Sequence, residues 1–144
     1  MAEERRRDAT NVVVRNKAGQ VLLFRRDNKP GIPYPDFYDA LGGVVDDGET
    51  AQEGAIREAM EEGGVVLDPM FLHRVAVYEW PDQTEHNYLY LMPIEVDTAA
   101  WVPTEGQGIE WHTPEEIADF EGFGAKIMPR TRQGILQAIF AFIL

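Results

Sequence analysis

The stretch from Gly42 to Val65, GGVVDDGETAQEGAIREAMEEGGV, constrains the fold most, because its start, period and end are written in local chemistry. Thr50 followed three residues later by Glu53 makes a capping box. The threonine oxygen accepts from a backbone N–H of the first turn, and the glutamate reaches back to the cap's own N–H. Ala51 to Glu62 is built mostly of good helix formers, and it stops at Gly63-Gly64, where a glycine takes the left-handed C-terminal position. The pattern predicts one helix of about three turns. On it Glu58, Glu61 and Glu62 stand at i, i+3 and i+4 and share an arc of about 100°. Like charges at these spacings cost a bare helix roughly 0.2–0.5 kcal/mol per pair, so the patch makes physical sense with a cation to neutralise it. Carboxylate oxygens favour Mg²⁺ or Mn²⁺, and with no Cys in the chain and no His in this stretch, zinc and copper are not indicated. On the opposite side Ile56 and Met60, with Ala59 between them, are expected to dock the helix on a sheet.

A solvated acidic helix also carries glutamates on one side, but the wider spacing says more. Gly43, five residues, Glu49, seven residues, Arg57-Glu58, two residues, Glu61-Glu62, one residue, Gly64 and then aliphatic Val65 resembles the Nudix box of the MutT-like Nudix hydrolases. Seven fixed identities at average residue frequencies coincide by chance about once in 10⁸ starting points. Ala59 departs from the bulkier aliphatic usual in that family, and Tyr38-Asp39-Ala40-Leu41 replaces the tryptophan, leucine and proline usual before the paired glycines. Gly43 to Thr50 has the spacing of a phosphate-binding P-loop, yet Glu49 occupies the lysine position and would repel a phosphate. Asp46-Asp47-Gly48 is too short for an EF-hand loop and reads as a turn. Gly122-Phe123-Gly124 lacks the third glycine of a dinucleotide fingerprint and reads as a loop.

The remaining chain reads as strands first and a helix last. Residues 1–8 are a charged arm and residues 9–144 a single domain. Asn11 to Arg15 and Gln20 to Arg25 are apolar, β-branched runs joined by Asn16-Lys17-Ala18-Gly19, the pattern of a hairpin. Asp27 to Asp36, with three prolines and a glycine, is an irregular loop. Short and long strands are expected at Val65 to Leu67, Phe71 to Trp80 and Glu85 to Val96, the last two antiparallel across a turn at Pro81 to Thr84. His73, His86 and His112 are scattered singly and read as structural or exposed. Trp101 to Trp111 is a loop closing on a short strand. Thr113-Pro114-Glu115-Glu116 starts a short helix, and Pro129 to Leu144 is a long one whose wide apolar surface covers the sheet or meets a second subunit, hence an expected homodimer. Thirteen basic against 25 acidic residues, net charge −12, argue against holding nucleic acid by its phosphates. Without a signal peptide or an apolar run of about 18 residues, no membrane role and a cytoplasmic location are expected.

The resemblance implies an α/β/α sandwich, a mixed sheet between helices, and hydrolysis of a nucleoside diphosphate linked to another group: a nucleoside triphosphate or nucleotide-sugar pyrophosphatase with a small nucleotide substrate. It implies metal ligation by Gly43 through its carbonyl, Glu58, Glu61 and Glu62, with Glu105 reaching in from a loop. Glu58, Glu61 and Glu105 each remain candidates for the catalytic base, and Arg57 completes the catalytic set by orienting the carboxylates through Glu49 or Glu61. Arg26, Tyr34, Phe37 and Tyr38, just before the box, are the expected substrate-binding residues. Relatives acting on oxidised guanine nucleotides usually place an asparagine near the start of the last helix; Gly122 to Arg130 contains none, so only modest preference for oxidised guanine is expected. A silent nucleotide sensor or a structural dimerisation module are the alternatives; every box glutamate is retained, and a module resting on the last helix makes no use of them.

Overall fold

The structure, a computed structural model, describes residues 7–80, 84–92 and 106–143. The strands are β1 (Ala9–Val14), β2 (Val21–Arg25), β3 (Tyr38–Asp39), β4 (Leu41–Val44), β5 (His73–Trp80), β6 (Thr84–Met92) and β7 (Gly108–His112). The helices are α1 (Ala51–Gly63), α2 (Pro114–Ala118) and α3 (Pro129–Ile143), with a 3-10 turn at Phe123–Lys126. They form two sheets rather than one. A four-stranded sheet runs β4-β1-β6-β5, with β1 and β6 parallel and the other pairs antiparallel; a three-stranded antiparallel sheet runs β3-β2-β7.

The expected hairpin at the start of the domain is therefore corrected. Its turn closes, Asn16 donating to Gln20 O at 3.1 Å and Gly19 turning at φ +79°, but beyond one bridge, Arg15 to Val21, the strands part into different sheets. The reason lies in their two-sided apolarity. Val12 and Val14 of β1 and Leu22 and Phe24 of β2 pack beneath α1 with Leu41, Ala55 and Ala59. Val13, Val21 and Leu23 face the other way, onto Ile117, Ile127, Ile135 and Ile139. Strands buried on both faces belong between helical layers, and each finds other partners there. The result is the expected α/β/α arrangement.

Helix α1 has its capping box, Glu53 N donating to Thr50 Oγ1 at 3.1 Å and Thr50 N to Glu53 Oε1 at 3.0 Å. Gly64, at φ 62° and ψ 26°, ends it. Its buried stripe is Ala55, Ala59 and Gly63, with Ile56 packed at the side, while Met60 is 41% exposed, so Met60 is not part of the docking face. Small residues let the helix backbone lie close on β4. Val65 to Leu67 forms no strand, though Val65 and Leu67 are buried in the same cluster. A second capping box, Thr113 with Glu116, starts α2. Helix α3 covers the sheet through Ile135, Ala138 and Ile139. The turn at 81–83, the strand residues beyond Met92 and most of the N-terminal arm lie outside the described residues. Among the described residues no helix is long and apolar enough to cross a membrane.

Candidate functional site

Helix α1 leaves its acidic face over the end of β4, and one arginine organises it. Arg57 clasps Glu49 with two parallel bonds, Nε to Oε2 at 2.9 Å and Nη2 to Oε1 at 3.0 Å. Its Nη1 also reaches Glu58 Oε1 at 3.0 Å and Glu61 Oε2 at 3.2 Å. Nη2 donates to Val44 O at 3.1 Å and stands 3.4 Å from Asp46 Oδ2. A planar guanidinium with five donors suits this fork geometry, which a lysine would not reproduce. The hydrogen bond to Glu49 drives the Arg57 pKa far above its usual value. Reciprocally, Arg57 first and the Asp46 N–H second hold the Glu49 carboxyl below the usual carboxylate range.

The paired glycines meet the helix from below. At Gly43 a Cβ would stand 2.7 Å from Glu58 Oε1, so a side chain there would push the Glu58 carboxylate out of its place. Gly42, at φ +152°, would drive a Cβ into the backbone carbonyl of Thr10, and its N–H donates to Glu62 Oε1 at 2.7 Å. Glycine is thus needed here for close approach of strand backbone to carboxylate. The two glycines set Glu58 and Glu62 against β4.

This donor set is all oxygen and strongly acidic, the chemistry that suits a hard divalent cation. Among the described residues, however, no three carboxylates already close on one point. Glu58 and Glu61 share Arg57 Nη1, Glu62 holds Gly42, and Glu61 is 58% exposed, so side-chain rotation rather than backbone movement separates this arrangement from a ligand cage. Glu105 lies outside the described residues.

Beside the carboxylates a cleft of about 330 Å³ opens between β1, β4 and the start of α3. Gly43, Glu62, Phe24, Arg26, Asp39 and Thr131 are among the residues that line it. A smaller pocket of about 190 Å³ continues it past Arg26 and Glu62 to Ile32 and Gly106. Of the four residues expected to meet substrate, only Arg26 lines this space; its Nη2 donates to Pro33 O at 2.9 Å, tying the proline-rich loop to β2. Tyr34 and Phe37 pack edge to face on each other, centroids 5.2 Å apart, in a loop where Tyr34 and Asp36 both take positive φ, 50° and 63°. Tyr38 requires a correction. Its ring is buried at 7% exposure against Phe123 and His112, with its hydroxyl donating to Glu110 Oε2 at 2.9 Å, so it offers no face to a ligand. Two-residue β3 points Tyr38 into the core and its neighbour Asp39 toward the cleft, as strand alternation demands.

Asp39 and Thr131 escaped the sequence reading. Thr131 Oγ1 donates to Asp39 Oδ1 at 2.5 Å, and Ala40 N donates to the same oxygen at 2.8 Å. The available signal was an aspartate among apolar residues directly before the paired glycines. Its partner, 92 positions away, gave none.

The chain was compared with known proteins. The NUDIX domain profile matches residues 5–131. A Bacillus subtilis protein provisionally named 8-oxo-dGTP diphosphatase is 32% identical over 109 residues, 76% of this chain and 68% of that protein. An ADP-ribose pyrophosphatase of Methanocaldococcus jannaschii is 32% identical over 73 residues, 51% of this chain and 40% of that protein. The chain thus spans about two thirds of one curated relative and less of the other. The crystal structure of a MutT protein from Methanosarcina mazei Go1 superposes with a TM-score of 0.69 at 20% identity, covering 99% of both chains, a likeness of fold.

Proposed function

The chain belongs to the NUDIX domain family, and from that premise we propose that it is a divalent-metal-dependent hydrolase cutting the diphosphate bond of a nucleoside triphosphate or nucleotide sugar. The observation that carries this is the corner where Glu58 lies against side-chain-less Gly43 while Arg57 binds Glu49, Glu58 and Glu61 at once. Acidic helices need no such organiser; a set of oxygen donors that must be held in register does. Glu58, Glu61, Glu62 and the carbonyl of Gly43 would hold Mg²⁺ or Mn²⁺, with Glu105 as the proposed contribution from a loop. When bound, such a cation neutralises the diphosphate and lowers the pKa of a coordinated water.

The chain's own residues account for the remainder. Arg57 orients the carboxylates without meeting the phosphate. Glu62, accepting from the Gly42 N–H, fixes the strand end against the helix. Arg26 gives the cleft a positive charge opposite Glu62, suited to a phosphate or a base edge. The proton of the attacking water goes to Glu58, Glu61 or Glu105. The names of the two curated relatives, one oxidised-guanine and one ADP-ribose enzyme, both fall within this substrate class.

Phosphate or pyrophosphate release from a panel of oxidised dGTP, dGTP, other nucleoside triphosphates and ADP-ribose, with and without Mg²⁺, tests the reading. Turnover is expected only with the metal, and Glu61→Gln and Glu62→Gln should each lower it roughly 10²–10⁴-fold with the fold retained. Wild-type rates in both variants would sink the proposal. The preference for oxidised over normal dGTP should stay under about a thousandfold, some 4 kcal/mol.

A further inference from the structure

The cleft beside the box is also lined by two residues that the hydrolytic machinery does not use, Asp39 from β3 and Thr131 from the first turn of α3. Asp39 Oδ1 is doubly occupied, by the Thr131 hydroxyl and the Ala40 N–H, whereas Oδ2 makes no hydrogen bond within the described protein. The residue is half-buried and lines the cleft. A second unmet demand lines the same cleft: Thr10 is fully buried and its Oγ1 has no partner among the described residues. Native folds keep few buried polar groups unmatched without a reason.

The bonds made on Oδ1 fix what Oδ2 can do. With its rotation locked by Thr131, the carboxylate presents one acceptor to the cleft and no donor. An amino group placed there is matched; a carbonyl oxygen is met by a like charge and leaves the carboxylate without its partner. A cleft of about 330 Å³ is the size of a small-molecule pocket. On the reading above the diphosphate sits by Gly43 and the box glutamates, and Asp39, four residues before Gly43 and lining the same cleft, is left to the other part of the same nucleotide.

We propose that Asp39 reads the nucleobase, accepting a hydrogen bond from an exocyclic amino group, with Thr131 as the positioning residue that holds its carboxylate. This rests on the nucleotide reading above and deepens it from a nucleotide to an amino-bearing one: adenine or cytosine over hypoxanthine or uracil. Within each of those pairs the bases match in size and differ by one amino group exchanged for a carbonyl.

The test separates recognition from turnover. Binding of AMP, IMP, CMP and UMP to the full chain is measured by calorimetry, and kcat/KM for the four corresponding triphosphates is measured with Mg²⁺. The amino-bearing member of each pair should win by roughly ten- to a hundredfold, the worth of a hydrogen bond to a charged group. Asp39→Asn keeps the acceptor for Thr131 and turns the outward oxygen into an NH₂ donor, so it should reverse the order. Thr131→Val should erode the preference and Thr131→Ser restore it, a rescue that a merely structural role for the threonine would not give. Equal binding within both pairs by the wild type, or an unchanged order in a folded Asp39→Asn chain, overturns the assignment. Selective binding of the monophosphates with no metal-dependent turnover would instead leave the base reader standing and remove the hydrolase.

Discussion

Two acidic corners of this molecule, a few residues apart in sequence, are built on opposite principles. At the Arg57 corner one guanidinium is shared among Glu49, Glu58, Glu61 and Asp46, all within 3.4 Å, and the strand backbone presses against Glu58 with no room for a methyl group. At the Asp39 corner a carboxyl that feels the charge of Arg26 makes no ion pair among the described residues; one oxygen is held by a hydroxyl and an N–H and the other is left unspent. The first corner spends its charges inside the protein to fix a geometry. The second keeps an interaction in reserve for a ligand. Saturated networks suit chemistry that needs position; an unsaturated group in a cleft suits discrimination.

The largest effect should come from breaking the crowded corner. Gly43→Ala puts a methyl carbon into Glu58, so either the carboxylate or the strand must move. Turnover should fall by two orders of magnitude or more with little loss of stability, because the displaced group is the end of a flexible side chain and what is lost is its position. Chemical denaturation and steady-state rates on the same sample measure both. A fully active Gly43→Ala protein would show that the close approach is incidental. Next in size is Arg57→Lys, which keeps the charge but loses the paired bonds to Glu49. It should cost roughly 1–3 kcal/mol and at least tenfold in rate, whereas a structural ion pair alone would lower melting temperature and leave the rate intact.

The smallest effect sharpens the contrast most, because the two corners should respond to pH with opposite sign. The folded-state pKa of Glu49 lies below its usual 4.5, so its contribution to stability is present above 4.5 and is lost as pH falls through the folded value. Glu49→Gln should therefore lower Tm at pH 7 by about 2–8 °C and converge on the wild type in acid. Asp39 is displaced the other way, above 3.8, chiefly because protein around its carboxyl removes water; the bonds from Thr131 and Ala40 only offset this. Its contribution is fully present below 3.8 and fades as pH rises through the folded value. Asp39→Asn should then be as stable as the wild type near pH 3 and gain on it in Tm as the pH rises to 7. Thermal melts across pH 3–8 decide both, and parallel curves for the two variants would erase the distinction between the corners.

The crowded corner was legible in advance because its parts lie within one turn-and-helix unit: Glu49, Thr50, Glu53, Arg57, Glu58 and Glu61 interact at separations of one to eight residues. Both capping boxes were readable for the same reason. Substrate-side residues were harder. Proximity to the box suggested Tyr38, yet adjacent strand residues face opposite ways, and it is Asp39 that borders the cleft. Nothing local distinguishes the two, since the direction of β3 is set by its pairing with β2 at Phe24 and Arg25. Thr131 was out of reach altogether, because its meaning depends on where α3 lands.

The sequence by itself therefore determined the box, the helix that carries it, the caps at both ends of that helix and the all-oxygen character of the site. Each of these follows from bonds spanning a turn or two of chain, whose geometry is nearly independent of the remaining fold. Only the tertiary structure decided that β1 leaves its neighbour β2 to lie parallel to β6, that α1 docks through Ala55 and Ala59 and not Met60, and that Thr131 locks Asp39 across 92 positions. Those choices belong to the layers: strands apolar on both faces must sit between helices, and which residues then meet is settled by how the layers pack rather than by any segment's own preference.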